Sequence, residues 1–542
     1  MQCALPRDTY LARVSRDLRK GYQMTSKEAP IDALMRQILV RPDRTAFIYK
    51  GVPWTYGGIA AAAEKLALGL SDAGVEPGDR VALHLHNGPE LIAAYYACFR
   101  LGAIATPFRA AFKFDELQSL VHRVRPAVYV GDARLYENIA PIDEVALPLD
   151  RRFLVNGVGE ASARSWSELF ESAGKHLPTH RSDGDEPAVL INTSGTSAQP
   201  KLVMHSRETL ANSTAMIIDN WDLSVDDVVV VHLSMAHVGG LMGVLSFIQL
   251  GLPFVLLETF DAEEILDSIE RYRCTWFLAF PAQYTALLER QRSRKRDLSS
   301  LRICLTAADV CPLELQLRVS SVLNAPLYNL WGATEVVGSV TFGMKPGPVA
   351  RISKGAMVRI VNESDDDVAQ LEAGELLVRG PNVFVGYWND PQATAESLKG
   401  GWYHTGDIMR RGDGDELWYV SRKRDIIIVG GANVSPLEVE EALVASHSLV
   451  VEAAVVGIAD EVLGQRVFGF VRLADGAKDS ICAEILRNVS SKLANYKLPV
   501  RLKVLREMPR NALSKVDRTA LKAMAASATR QSSEKVSDVS PR

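Results

Sequence analysis

The chain is predicted to be an α/β protein, and three observations predict it. Strand-like and helix-like stretches alternate through the first three-quarters of the sequence. Its 542 residues, at about 100–200 residues per domain, hold roughly three or four core-sized units. A content of 47% hydrophobic and 23% charged residues is globular usage, far from collagenous or disordered chains. Alternation at this spacing means parallel sheets covered by helices.

An Ala/Leu-rich helical pattern runs from Tyr56 to Ala73, ends at the Pro77-Gly78-Asp79 turn and leads into a strand over Arg80 to His84. A helix over Leu91 to Leu101, a short strand at Ala103 to Thr106, a helix from Asp115 and a strand at Ala127 to Val130 follow. The order recurs near Val228 to Val255 and near Thr275 to Leu305. Residues 228–257 have the length of a membrane span, about 20 apolar residues. His232, Ser234, His237, Gln249 and Pro253 interrupt them, so the stretch reads as a buried strand at Val228 to Leu233, a helix to Leu250 and a strand from Phe254. From Gly374 the texture changes to short strands, Glu375 to Arg379 and Glu416 to Val420, with Gly-Asp turns between them. After Arg422 a compact α+β unit is expected: strand Asp425 to Val429, the Gly430-Gly431 turn, a helix from Ser435, strands Val451 to Gly457 and Phe468 to Arg472, and a helix near Ile481 to Leu493. From about Ala525 the residues show no periodicity, which predicts a disordered tail.

Lys and Arg number 61 against 65 Asp and Glu, a net charge of -4, with no long run of one sign. That disfavours nucleic acid as a partner and favours a small molecule. The densest basic cluster, Arg290, Arg292, Arg294, Lys295 and Arg296, reads as a solvated helix end or loop. Six scattered cysteines without a Cys-x-x-Cys pair fit neither a disulfide framework nor a zinc site and suit a reducing compartment. The first residues lack the apolar core of a secretory signal, and Asp8 and Asp17 oppose a mitochondrial presequence. A cytoplasmic location is expected.

The densest cluster of hydroxyls and glycine is Thr193-Ser194-Gly195-Thr196-Ser197-Ala198-Gln199-Pro200-Lys201, directly after the apolar strand Ala188 to Ile191. Hydroxyls and backbone N–H groups on a turn closed by a lysine form a cradle for a polyphosphate. It lacks the Gly-Lys-Ser/Thr ending of a Walker A loop, and an ordinary Ser/Thr loop is the alternative. Four further segments follow: Trp331-Gly332-Ala333-Thr334-Glu335 after a strand-like Ala325 to Leu330, Gly401-Trp-Tyr-His-Thr-Gly-Asp407, Arg422-Lys-Arg-Asp425, and Asn511-Ala-Leu-Ser514-Lys515-Val516.

In this order and spacing the five segments resemble the adenylate-forming superfamily of AMP-dependent synthetases and ligases, which includes acyl-CoA synthetases, peptide-synthetase adenylation domains and beetle luciferases. The resemblance runs from about Pro30 to about Leu521. It implies a large N-terminal body of two α/β subdomains plus a β-rich subdomain, with a small mobile α+β C-terminal domain. The domains are then an extension over 1–29, an AMP-binding body over 30–423, a lid over 424–524 and a tail over 525–542.

It implies ATP, Mg2+ and coenzyme A as cofactor and co-substrates. Thr193, Ser194, Gly195, Thr196, Ser197 and Lys201 would hold the β- and γ-phosphates, Thr334 the α-phosphate and Glu335 the metal. Asn329 and Trp331, with Gly332 between them and Thr334, would contact the adenine, and Asp407 with Arg422 would take the ribose hydroxyls. Lys515 would span the substrate carboxylate and the ATP oxygens, offsetting charge in the transition state. Arg424 stands at the hinge position, with a plain surface arginine as the alternative. Gly430 and Gly431 would let the backbone approach pantetheine. His237 matches a position between the acyl pocket and the CoA tunnel; a histidine satisfied within the core is the alternative. Phe280, Ala307, Ala308, Val336, Val337 and Gly338 would line an acyl pocket without a fixed charge.

Such a pocket selects a medium-chain fatty, alicyclic or aromatic carboxylate. The Ser234-Met-Ala-His237 segment has no acid to hold an α-amine, which favours a free-standing acyl-CoA ligase over a peptide-synthetase domain. A carrier protein as acceptor, an adenylate supplied by a partner, and a homodimer stay open. Relatives carry Gly where this chain has Ala198, Leu202, Ala307 and Ser514; at any such position with φ > 0 a side chain costs on the order of 1 kcal/mol.

Overall fold

The computed structural model describes residues 29–157, 163–171, 177, 185–193, 201–307, 311, 313–343, 349–460, 462–474, 476–477, 479–511 and 515–537. The chain divides into two compact units, Met1–Met357 with Val378–Tyr403, and Val358–Leu377 with His404–Arg542.

The first unit carries two large sheets. In one, the strands Ile104–Pro107, Arg80–His84, Val128–Asp132, Arg152–Val155 and Arg164–Ser165 run parallel in that spatial order. Beside Ile104–Pro107 lie Pro187–Asn192, then the antiparallel strands Leu202–Ser206 and Gly386–Tyr387. The other sheet has a parallel centre of Thr45–Tyr49, Phe254–Leu256, Val229–Val231, Trp276–Ala279, Ile303–Thr306 and Leu327–Ala333. Helices follow strands as the alternation predicted. Residues 228–257 divide into the strand Val229–Val231, the helix Val238–Leu250 and the strand Phe254–Leu256. No helix among the described residues is long and apolar enough to cross a membrane.

Side-chain caps set the helix starts. Thr55 accepts the N–H of Gly58 at the head of Tyr56–Asp72, and Asp261 accepts those of Glu263 and Glu264 at the head of Ala262–Tyr272. The core between these elements includes Trp276, stacked on Trp221 with ring centroids 5.6 Å apart, and the buried Tyr95 and Tyr96. Each large side chain so buried contributes about 1.5–3 kcal/mol relative to exposure. The basic cluster after Pro281–Ser293 departs from its solvated reading at Arg296. That side chain is buried and pairs with Glu263 and Asp267, because the helix Ala262–Tyr272 supplies two carboxylates that no local pattern announces.

In the second unit the strands Met357–Val361, Ala373–Arg379, Trp402–Arg411 and Glu416–Arg422 follow one another across a sheet. The β-rich stretches 358–377 and 404–422 therefore group with the C-terminal elements. A second sheet is built on the long hairpin Val450–Asp460 and Gly464–Leu473, flanked by Ile427–Val429 and Arg501–Val504. The disordered tail expected from 525 needs correction, since the helix Arg518–Ser537 runs through that point. Leu521 and Ala525, one turn apart, are fully buried against Phe468, Phe470 and Met508. Apart from Leu521 and Met524 the stripe is alanine, so it covers a sheet with only a weak apolar signature in the sequence.

Candidate active site

The hydroxyl-rich segment leaves the strand Pro187–Asn192 and returns as Leu202–Ser206, with Asn192 opposite Leu202. Its ends are pinched: the Thr193 N–H donates to the Lys201 carbonyl at 2.8 Å, and the Lys201 N–H donates to Thr193 Oγ1 at 3.2 Å. Ser194, Gly195, Thr196, Ser197 and Ala198 lie outside the described residues. Behind the pinch, buried Arg109 donates to the Asn192 carbonyl at 3.2 Å, and burial lowers its guanidinium pKa to about 10. Leu202 is an ordinary buried strand residue.

Glu335 stands in a tight hairpin. The strand Leu327–Ala333 extends through Trp331 and pairs antiparallel with Val336–Gly343, Ala333 opposite Val336, leaving Thr334 and Glu335 as the two turn residues. The strand runs past the expected end at Leu330 because the following strand completes its hydrogen bonds, the Trp331 N–H donating to Thr341 Oγ1 at 3.1 Å. Two uncharged groups hold the turn. His205 is fully buried, which lowers its pKa to about 4, and its neutral ring donates from Nε2 to the Thr334 carbonyl at 2.8 Å. Tyr387 donates its hydroxyl to Glu335 Oε1 at 2.9 Å, and Lys201 Nζ lies 4.3 Å from the centroid of the same phenol ring. Among the described residues no cation is within ion-pair distance of Glu335.

Lys201 and Glu335, 134 positions apart in the chain, are thus brought together through a residue that the motifs do not contain. Tyr387 carries no sequence signal beyond its place after Gly386. His205 could have been found as a polar residue at the inward position of an otherwise apolar strand.

The residues expected to line the acyl pocket belong to the same unit. Asn329 lies opposite Thr306 across parallel strands, and Ala307, the next residue, is partly buried; Ala308 lies outside the described residues. Val336 and Val337 are each 1% exposed. Gly338 has φ +75°, and a Cβ there would stand 2.9 Å from the Ser213 carbonyl oxygen, so the position excludes other residues on two counts. His237 caps the helix Val238–Leu250, its Nδ1 accepting the Gly239 N–H at 3.2 Å. Phe280 heads Pro281–Ser293; its N–H and the His232 ring both donate to Gln283 Oε1, at 2.9 and 3.0 Å.

In the second unit Asp407 is 1% exposed and meets Arg422 Nε at 2.7 Å, the two standing opposite each other on paired strands. The Asp407 N–H donates to Thr405 Oγ1 at 3.0 Å, and that hydroxyl donates to the Leu376 carbonyl at 2.8 Å. Arg424 is exposed in the short 3-10 turn Lys423–Asp425. Gly430 and Gly431, with φ +57° and +84°, connect Val429 to its partner Ala432, the two-residue turn that needs left-handed backbone at both positions. Lys515 closes a second pinched loop: its N–H donates to Asn511 Oδ1 at 3.2 Å, and the Asn511 N–H donates to its carbonyl at 2.9 Å. Ser514 lies outside the described residues.

The chain as a whole is similar to known proteins. The AMP-binding enzyme family matches residues 34–388, and the AMP-binding enzyme C-terminal domain matches residues 438–515. Indoleacetate–CoA ligase of Aromatoleum aromaticum is 34% identical over 488 residues, covering 88% of this chain and 94% of its own. A long-chain-fatty-acid–CoA ligase of Bacillus subtilis is 30% identical over 515 residues, covering 89% and 91%. Among solved structures, ATP-bound MatB of Rhodopseudomonas palustris is 26% identical with a TM-score of 0.84, over 92% of this chain and 99% of that one. The long match to the larger domain, joined to the match to its C-terminal partner, shows that the chain belongs to the AMP-binding enzyme family.

Proposed function

We propose that the protein is an ATP-dependent acyl-CoA ligase acting on an apolar carboxylic acid, medium-chain fatty, alicyclic or aromatic. The observation that carries the reading is the pinched lysine loop set against Glu335 through Tyr387, in a chain that matches both domains of the family. Its relatives include ligases for indoleacetate and for long-chain fatty acids.

In the first step a substrate carboxylate oxygen attacks the α-phosphorus of ATP, and the bond to the bridging oxygen breaks to release pyrophosphate. In the second the thiol of coenzyme A, giving up its proton, attacks the acyl carbon and AMP leaves. Lys201 and the loop it closes bind the β- and γ-phosphates. Thr334 hydrogen-bonds the α-phosphate, and Asp407 accepts the ribose hydroxyls while Arg422 holds its carboxylate in place. Lys515 places a cation on the reacting oxygens, which favours the transition state electrostatically. Glu335 fits Mg2+: it is a half-buried oxygen donor with no ion-pair partner among the described residues, and a magnesium ion shared with phosphates needs only one or two protein carboxylates. When bound, that ion neutralises phosphate charge. His237, Phe280, Ala307, Val336, Val337 and Gly338 bound the acyl group, and Gly430 with Gly431 gives pantetheine a backbone approach. The body, ending near 423, and the lid, beginning at 424, alternate about Arg424 between steps.

The test supplies ATP, Mg2+ and a panel of carboxylates with either coenzyme A or a holo-carrier protein, following pyrophosphate exchange and thiol consumption. Exchange dependent on an aryl or medium-chain acid, with loss of the coenzyme A thiol, is expected. Consumption of the carrier thiol alone would reassign the acceptor. Thioester formation only from a preformed adenylate would show that a partner performs the first step. Sedimentation of the same preparation decides between monomer and homodimer.

A further inference from the structure

We infer that Tyr387 is a positioning residue that keeps Lys201 and Glu335 from pairing with each other, so that each stays available to its own part of a metal–nucleotide substrate. The inference rests on the ligase reading. Two opposite charges needed by one ligand sit on adjoining elements of the same unit, and two such groups left to themselves close into an ion pair. Tyr387 occupies both. Its ring face takes the ammonium at 4.3 Å, and its hydroxyl takes Glu335 Oε1 at 2.9 Å.

The spacer is itself held firmly. Tyr387 is 4% exposed and pairs with Val203 on the strand that leaves Lys201, and its N–H donates to Thr394 Oγ1 at 2.9 Å. Gly386 before it has φ +149°, and a Cβ there would crowd Thr394 and Met204 at 3.0 and 3.2 Å, which lets the segment lie close on the strand. Glu335 is tied from the same segment, its carbonyl accepting the Phe384 N–H at 2.8 Å. Both contacts are weak beside those a polyphosphate and a divalent cation offer, so the ring restrains the two side chains and releases them to substrate.

The test is ATP binding measured by calorimetry, with Mg2+ and with a chelator, on the unmutated protein, Tyr387→Leu, Glu335→Gln and the double variant. Tyr387→Leu is expected to weaken ATP binding about tenfold in chelator, the size of a newly formed partly buried ion pair that ATP must break. Adding Glu335→Gln should restore affinity to within about threefold, since it removes the competing charge while leaving the cavity made by Leu. A ring that only fills space would give the same loss in both backgrounds, and that outcome overturns the proposal, as does unchanged affinity in Tyr387→Leu. Where Tyr387→Leu fails to fold, Tyr387→Met, longer and more adaptable in shape, carries the same four-way comparison. Failure of the unmutated protein to bind ATP overturns the ligase reading and this inference together, whereas binding without rescue overturns this inference alone.

Discussion

The two carboxylates assigned to the nucleotide are held in opposite ways. Asp407, in the second unit, is buried against Arg422, a charge neutralised by a charge. Glu335, in the first, is surrounded by uncharged donors: the phenol of Tyr387 binds the carboxylate and the neutral ring of His205 binds the adjoining carbonyl. The difference suits the two tasks proposed for them. A carboxylate that accepts hydroxyl hydrogen bonds works best fixed and partly compensated, whereas one that receives a divalent cation must keep its charge.

The largest effect belongs to neither carboxylate. Lys515→Ala is expected to reduce pyrophosphate exchange by about a thousandfold, as removal of a cation aimed at developing charge does, while largely sparing thioester formation from a preformed adenylate. Equal loss in both steps would make Lys515 a structural residue. Next comes the same isosteric change at both carboxylates. Asp407→Asn should destabilise the second unit by about 1–2 kcal/mol, less than a fully buried pair because Arg422 is 39% exposed and rehydrates. Glu335→Gln keeps an oxygen for the Tyr387 hydroxyl, so its stability should change by about 0.5 kcal/mol or less while the Mg2+ concentration for half-maximal exchange rises roughly tenfold. Denaturant titrations and metal titrations on both variants would break the comparison if the two responded alike.

The smallest effect concerns acid. Burial lowers the His205 pKa from 6.5 to about 4, so between these values the unfolded chain binds a proton that the folded one does not. Stability from this group is therefore complete above about pH 6.5 and is lost as pH falls toward 4. His84 and His232, lowered by burial to about 4, act in the same direction. His205→Gln, which retains a donor, should cost about 1 kcal/mol at pH 7, cost nothing near pH 6 and favour the variant by about 1 kcal/mol near pH 5. A pH-independent difference in melting temperature would mean that folding leaves the His205 pKa unshifted.

Much of the fold was legible because its signals are local. Residues 228–257 announced strand, helix and strand through the spacing of polar breaks, and Gly430-Gly431 announced a tight turn because few other residues tolerate its backbone. The site was legible only in pieces. The lysine and the glutamate each stand in a motif, but the tyrosine between them comes from a third segment that joins only when Gly386–Tyr387 adds to the sheet edge at Leu202–Ser206. Arg296 and the helix at Ala525 were misjudged for a related reason. Charge and small side chains look solvated until a distant helix or sheet is laid against them.

By itself the sequence determined the alternating α/β architecture, the two lysine-closed segments and the candidate acidic positions, since periodicity, turn chemistry and motif spacing act over a few residues. The tertiary structure decided which charges are compensated. Whether Glu335 meets a phenol or a lysine depends on pairings between strands far apart in the chain, and the energy of a charge is set by what folding places beside it.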